Sequence, residues 1–117
     1  MQIQTTARFE RDVSYYVKKK KYFKIYDDIR SVTDALKEGN FIGDKLEDIE
    51  LDEETASYKV RVANSSTNSS KSNGFRIIYY VVIDEKIYLL TIYSKKDDNR
   101  IPTDKQISLM IKNIIDQ

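Results

Sequence analysis

The feature that most constrains the fold of this chain is a change in its hydrophobic period near the middle. Before residue 58, apolar residues recur at helical spacing, and after it they alternate. The first helical stripe consists of Phe9, Val13, Tyr16 and Val17, and the second of Ile25, Ile29, Val32 and Leu36. This spacing predicts two amphipathic helices, over about 8–21 and 23–38, with Gly39 as a left-handed C-cap.

The second half predicts strands. Residues 58–63, 75–83 and 87–94 are rich in Val, Ile, Tyr and Leu, and a three-residue loop joins the last two segments as a hairpin. A short strand over 2–6 precedes the first helix, and Thr103 with Gln106 forms a capping box for a last helix. The acidic stretch that follows Gly43 and Asp44 is expected to be an exposed loop or an irregular edge, and the polar segment 64–74 a flexible loop. The predicted class is α+β, with a helical hairpin packed on an antiparallel sheet and a C-terminal helix.

The length of 117 residues favours a single domain over 1–117. No apolar run approaches the ~20 residues that a membrane span needs, and the N-terminus lacks the apolar stretch of a signal peptide. We therefore expect a cytoplasmic protein without a membrane partner.

The chain contains no cysteine and no histidine, which excludes Ser-His-Asp, Cys-His and thiolate zinc chemistry. Carboxylate metal sites survive that exclusion, but the acidic residues of 47–54 lack the spacing and turn glycine of a calcium loop. We expect no metal and no cofactor. Acid–base chemistry by Asp, Glu, Lys, Arg or Tyr remains available.

Charge is distributed unevenly along a chain whose net charge is only +1. Residues 1–58 carry 10 basic and 13 acidic side chains, and residues 59–117 carry 10 and 6, so the second half has a net charge of +4. The candidate cations on or beside the predicted strands are Lys59, Arg61, Arg76, Lys95, Lys96 and Arg100. Like charges on neighbouring strands are destabilising. A polyanion that binds and neutralises these cations would explain why they lie together. The alternative is that they simply occupy outward positions of the sheet, where Lys and Arg are common.

The strand segments resemble a known family. Residues 58–63, 74–83 and 86–95 read YKVRVA, GFRIIYYVVI and KIYLLTIYSK. They are similar to the strand motifs of the RelE/ParE toxin superfamily, particularly the RelE/HigB branch of toxin–antitoxin systems. The order of the helices also follows the family. The resemblance implies a RelE-like fold and the activity of that branch, which is ribosome-dependent cleavage of mRNA.

The resemblance also implies which residues act. Lys59, Arg61 and Arg76 correspond to catalytic cations, and Lys96 or Lys95 falls where the family often has an arginine, with Lys96 taken as catalytic. Candidates for substrate binding are Lys95, Tyr93, Lys71 and, from its charge beside the last strand, Arg100. The reaction would be attack of a ribose 2′-OH on the adjacent phosphate, with Lys59 as base and arginines stabilising the phosphorane. Two features depart from the family: 101–103 lacks the tyrosine that some relatives have, with Tyr93 the nearest substitute, and the 64–74 loop has only Lys71 as a cation.

The implied partners are a cognate antitoxin protein, the ribosome and mRNA. One alternative is a toxin of the ParE branch that inhibits DNA gyrase and would not need Lys59 as a base. Another is a relative without nuclease activity that binds only an antitoxin or nucleic acid. Induction in growing cells separates the three, because each affects mRNA ends and growth differently.

Overall fold

The computed structural model describes residues 1–49, 53–83 and 85–116. In chain order, the described elements are β1 (Gln2–Thr5), α1 (Ala7–Lys18), α2 (Ile25–Lys37), β2 (Asp44–Lys45), β3 (Thr55–Val62), β4 (Phe75–Val82), β5 (Lys86–Ser94) and α3 (Asp104–Ile115). A short 3₁₀ turn, Asp98–Arg100, lies before α3. Three helices and five strands in these residues confirm the α+β class.

Local signals determine where the helices begin and end. The hydroxyl of Thr6 accepts a hydrogen bond from the backbone N–H of Phe9 and caps α1, and Thr103 with Gln106 forms the predicted capping box of α3. Helix α1 ends at Lys18, earlier than predicted, because the lysine run turns and Lys21 adopts a φ of 61°. Gly39 has a φ of 83° after α2, as the sequence predicts.

The sheet is mixed rather than wholly antiparallel. Its strand order is β1-β5-β4-β3-β2, and β1 runs parallel to β5 while every other neighbouring pair is antiparallel. The helical hairpin α1–α2 lies between β1 and the other strands in sequence. This long connection allows β1 to pair with β5 in the parallel orientation, which a short turn could not. The two-residue strand β2 was not predicted, since its sequence has no alternating apolar residues.

Both faces of the sheet are covered, but to different extents. Helices α1 and α2 pack on one face, here called the hairpin face, where Tyr16, Leu36, Phe75, Ile77 and Tyr79 are buried. On the opposite face, α3 contributes Ile107 and Ile111 to a smaller apolar cluster with Ile78, Tyr80 and Leu90. The part of this second face near Lys59, Arg61 and Arg76 lies beside that cluster, and we call it the open face.

A buried carboxylate joins α1 to an irregular position of β5. The register of β4 and β5 shifts so that Leu90 is an additional residue in β5. Asp12, which is 2% exposed, accepts hydrogen bonds there from the Thr91 hydroxyl at 2.5 Å and the Ile92 backbone N–H at 3.2 Å. Arg100 pairs with the same carboxylate at 3.0 Å. These contacts connect α1, β5 and the 3₁₀ turn.

Tyr16 reinforces the same junction. Its hydroxyl donates to the Asp97 carboxylate at 2.8 Å and accepts from the Ser94 backbone N–H at 2.7 Å. Burial raises the pKa of the Tyr16 phenol well above its ordinary value of about 10, so it remains protonated and keeps its donor at neutral pH. The end of β5 and the turn after it are thereby held against α1.

Asp12→Ala is expected to lower the free energy of unfolding by about 3 kcal/mol, because removing one partner of a buried ion pair leaves the other partners unsatisfied. Asp27→Ala is the matched control. Asp27 pairs with Arg30 in the same chain but is 71% exposed, and its loss should cost about 0.5 kcal/mol or less. Urea unfolding followed by circular dichroism measures both values, and equal losses would contradict the role given to Asp12.

Candidate nucleic-acid interface

Strand β3 presents two cations on the open face. Side chains alternate along a strand, so Val60 and Val62 enter the core of the hairpin face while Lys59 and Arg61 point to the opposite side. Arg61 is exposed and Lys59 is half-buried. The alternation in the sequence therefore predicts which residues of β3 face the core and which two point away from it.

The register of the sheet aligns Arg61 with two further candidates. Arg61 lies directly opposite Arg76 of β4, and Arg76 lies opposite Tyr93 of β5. Lys59 stands two residues from Arg61 on the same face of β3, with Ile78 and Asp44 as its strand neighbours. The structure thus brings together four of the predicted site residues, which we call the row: Lys59, Arg61, Arg76 and Tyr93.

Arg76 occupies an unusual environment for an arginine, since it is only 8% exposed. Burial lowers the pKa of its guanidinium, and the neighbouring charge of Arg61 lowers it further. Three backbone carbonyls compensate: the guanidinium donates to those of Lys71 and Phe75 at 3.1 Å and to that of Ser72 at 3.2 Å. Arg76 therefore anchors the end of the 64–74 loop as well as contributing positive charge.

Tyr93 is a neutral member of the row. Burial raises the pKa of its phenol, an effect that the nearby Arg76 charge only partly opposes. Because the phenol stays protonated at neutral pH, Tyr93 can pack or donate a hydrogen bond there but cannot serve as a general base. Its ring also belongs to the apolar cluster under α3.

The 64–74 loop, expected to be flexible, is held at both ends. Near its start, the buried carboxylate of Asp28 in α2 accepts hydrogen bonds from the hydroxyl and the backbone N–H of Ser65, the latter at 2.9 Å. Near its end, Arg76 binds the carbonyls described above. Lys71 is exposed and, together with Lys59 and Arg61, lines an open groove of about 550 Å³.

The remaining candidates lie elsewhere. Arg100 is on the side of α1, where it pairs with Asp12 and stacks over the Tyr15 ring at 3.9 Å. Lys96 lines a separate groove with Tyr15 and Arg100. Lys95 is exposed, and its backbone N–H binds the carbonyl of Gly74 just before β4. Lys95 thus lies two residues after Tyr93, just past the end of β5. Lys96 and Arg100 lie apart from Lys59, Arg61, Arg76 and Tyr93.

Sequence reasoning missed the residues that hold the loop. Asp28 lies three residues after Ile25 and four before Val32, so it falls on the apolar stripe of α2. A charged residue on a buried stripe requires a partner, and that signal was available. The carbonyls of Lys71 and Ser72 offer no such signal, because any residue could supply them.

The described residues contain no group of three or more acidic side chains placed to hold a metal ion. Within 1–49, 53–83 and 85–116, no helix is both long and apolar enough to cross a membrane. The expectations for residues 50–52 of the acidic stretch lie outside the described residues. In comparisons with known proteins, no protein-family model matches the chain, and neither does any curated protein sequence.

Arg76→Ala is expected to lower the free energy of unfolding by about 2 kcal/mol, because three hydrogen bonds from a charged group are lost. It should also speed hydrogen exchange at the Asn73 amide, which bonds to Ser70 within the loop. Urea unfolding and exchange mass spectrometry over 70–74 measure these effects. Arg61→Ala is the control, since the exposed Arg61 should change stability by about 0.5 kcal/mol or less. Unchanged exchange in Arg76→Ala would contradict the anchoring role.

Proposed function

We propose that this chain is the toxin of a type II toxin–antitoxin system and that it cleaves mRNA on the ribosome, within a RelE-like fold. The observation that carries this proposal is the row of cations on the open face. Arg61 and Arg76 stand directly opposite each other, with Lys59 beside them and no acidic residue in the register positions of Arg61, Arg76 and Tyr93. Such a pair is unfavourable alone and favourable around a phosphate.

The residues suit a metal-independent transesterification. The 2′-oxygen of a ribose attacks the adjacent phosphorus while its proton passes to a base, for which Lys59 is the candidate. The bond from phosphorus to the 5′-oxygen then breaks, and that oxygen takes up a proton. The products are a 2′,3′-cyclic phosphate and a 5′-hydroxyl.

Arg61 has the clearest role in this reaction. Its guanidinium is exposed at the open face, so its paired donors can reach two oxygens of a phosphorane and stabilise the charge that develops there. Lys71, in the same groove, is placed to hold a neighbouring phosphate.

The groups present here are weak bases at neutral pH, so orientation of the RNA must supply much of the rate. The ribosome would hold the mRNA in the geometry for in-line attack. We therefore propose the ribosome and mRNA as partners, together with an antitoxin that neutralises the protein. Little activity is expected on free RNA.

One observation favours a second candidate function, that of a relative which binds an antitoxin or nucleic acid without cleaving it. The Arg76 guanidinium already binds three carbonyls of the protein, which leaves it fewer donors for a phosphate. In this case Arg76 has only a structural and electrostatic role. The two candidates differ in whether new mRNA ends form.

Mapping of mRNA 5′ ends after brief induction in growing bacteria tests the proposal. The wild type should create new ends within translated frames, and Arg61→Ala should reduce them about 100-fold, as loss of a transition-state donor does. Arg30→Ala is the matched control, because Arg30 is an exposed arginine on α2, over the hairpin face, and should cut like the wild type.

Three other outcomes would each count against the proposal. Equal cutting by Arg61→Ala and the wild type would remove Arg61 from the reaction. Growth arrest without new mRNA ends would indicate the gyrase alternative. Neither cuts nor arrest would favour the binding relative.

A further inference from the structure

Within the described residues, part of the outer edge of β3 has no neighbouring strand. Strand β2 pairs with only Tyr58 and Lys59, and the chain leaves the edge at Gly43. Gly43 has a φ of 100°, and a Cβ atom there would lie 2.5 Å from the carbonyl oxygen of Lys59. Glycine at this position therefore lets the chain pass close to the backbone of Lys59 and Val60 before it turns away. Among the described residues, no strand pairs with Arg61 and Val62 on this side.

The uncovered edge presents backbone hydrogen-bonding groups. The Leu46 N–H donates to the Ser57 carbonyl at 2.9 Å, so residue 57 directs its backbone groups toward β2. Because these directions alternate along a strand, Lys59 and Arg61 direct theirs the same way. Lys59 has Asp44 opposite it, whereas Arg61 lies beyond the end of β2.

The residue that would continue β2 is turned away from this edge. Continuing the register by two positions would place Ile42 opposite Arg61. Instead, its N–H binds the carbonyl of Asn40 and its carbonyl accepts from the Tyr79 hydroxyl. The outward N–H and C=O of Arg61 therefore have no backbone partner within the part of the chain that the structure describes.

The surroundings of this edge indicate what could pair with it. The groove of about 550 Å³ described above runs along the edge, with the buried Val32 and the partly exposed Ile42 on the side of the hairpin face. Its cations are Lys59, Arg61 and Lys71. Asp44 already places an acidic residue opposite Lys59. A partner strand that continued the direction of β2 would place one residue opposite Arg61, and an acidic side chain there would face the Arg61 guanidinium as Asp44 faces Lys59. The residues before and after it would point toward the hairpin face.

We propose that this edge binds an extended segment of a partner protein with the pattern apolar–acidic–apolar. The segment adds to the sheet beside Arg61 and Val62, exchanges backbone hydrogen bonds with Arg61 and directs its acidic side chain to the Arg61 guanidinium. Its apolar side chains pack toward Ile42, which is only partly buried. A polypeptide fits better than RNA here, because the edge offers the N–H and C=O of Arg61 in the arrangement that an added β-strand pairs with.

The proposal does not depend on ribonuclease activity and is tested on the whole chain. A capped peptide, Ser-Thr-Val-Glu-Val-Thr-Ser, is titrated into the ¹⁵N-labelled protein. The Arg61 amide should shift and become protected from hydrogen exchange, while the Lys59 amide should keep its exchange rate. Lysine in place of the peptide's glutamate, or an N-methyl group on that glutamate, should weaken binding about tenfold.

Variants of the protein sharpen the test. Arg61→Glu should reverse the preference, so that the lysine peptide binds more tightly than the glutamate peptide. Lys112→Glu, at an exposed position of α3, should leave both affinities unchanged. Absence of binding would overturn the proposal, as would binding without protection of the Arg61 amide. Protection of that amide by a short RNA but not by the peptide would show that the edge serves nucleic acid.

Discussion

Burial of strand β4 on both of its faces is the constraint on which the rest of the structure depends. Every residue from Phe75 to Val81 is buried, so apolar side chains must meet a covering layer on each side of the sheet. Helices α1 and α2 cover one side and α3 covers part of the other. The one charged residue in this stretch, Arg76, must find its compensation within the protein.

That compensation links the core to the candidate site. Arg76 binds carbonyls of the 64–74 loop, and Asp28 holds the other end of the same loop, so a segment with a flexible composition becomes ordered. The loop then places Lys71 over the groove beside Arg61. The proposed phosphate site and the free edge of β3 thus share one corner of the molecule, and a partner strand at the edge would contact the same arginine as an RNA.

Much of the fold could be predicted from the sequence because periodicity reports burial. The alternation around Val60 predicts which face Arg61 occupies, and the Thr103–Gln106 capping box predicts the start of α3. Other features depend on distant contacts that leave no local pattern. The parallel docking of β1, the two-residue strand β2 and the pairing of Asp12 with Arg100 are of this kind. Arg100 was a candidate for substrate binding from its charge, and only the tertiary structure shows its buried partner.

The most direct measurement is cleavage of a defined mRNA by the purified protein on reconstituted translating ribosomes, with the chemistry of the new ends determined by mass spectrometry. The proposed reaction predicts fragments that end in a 2′,3′-cyclic phosphate and begin with a 5′-hydroxyl, formed with ribosomes and nearly absent with mRNA alone. Lys59→Ala should reduce their yield without changing the chemistry of the ends. New ends carrying a 5′-phosphate, or intact mRNA on active ribosomes, would contradict the proposed reaction.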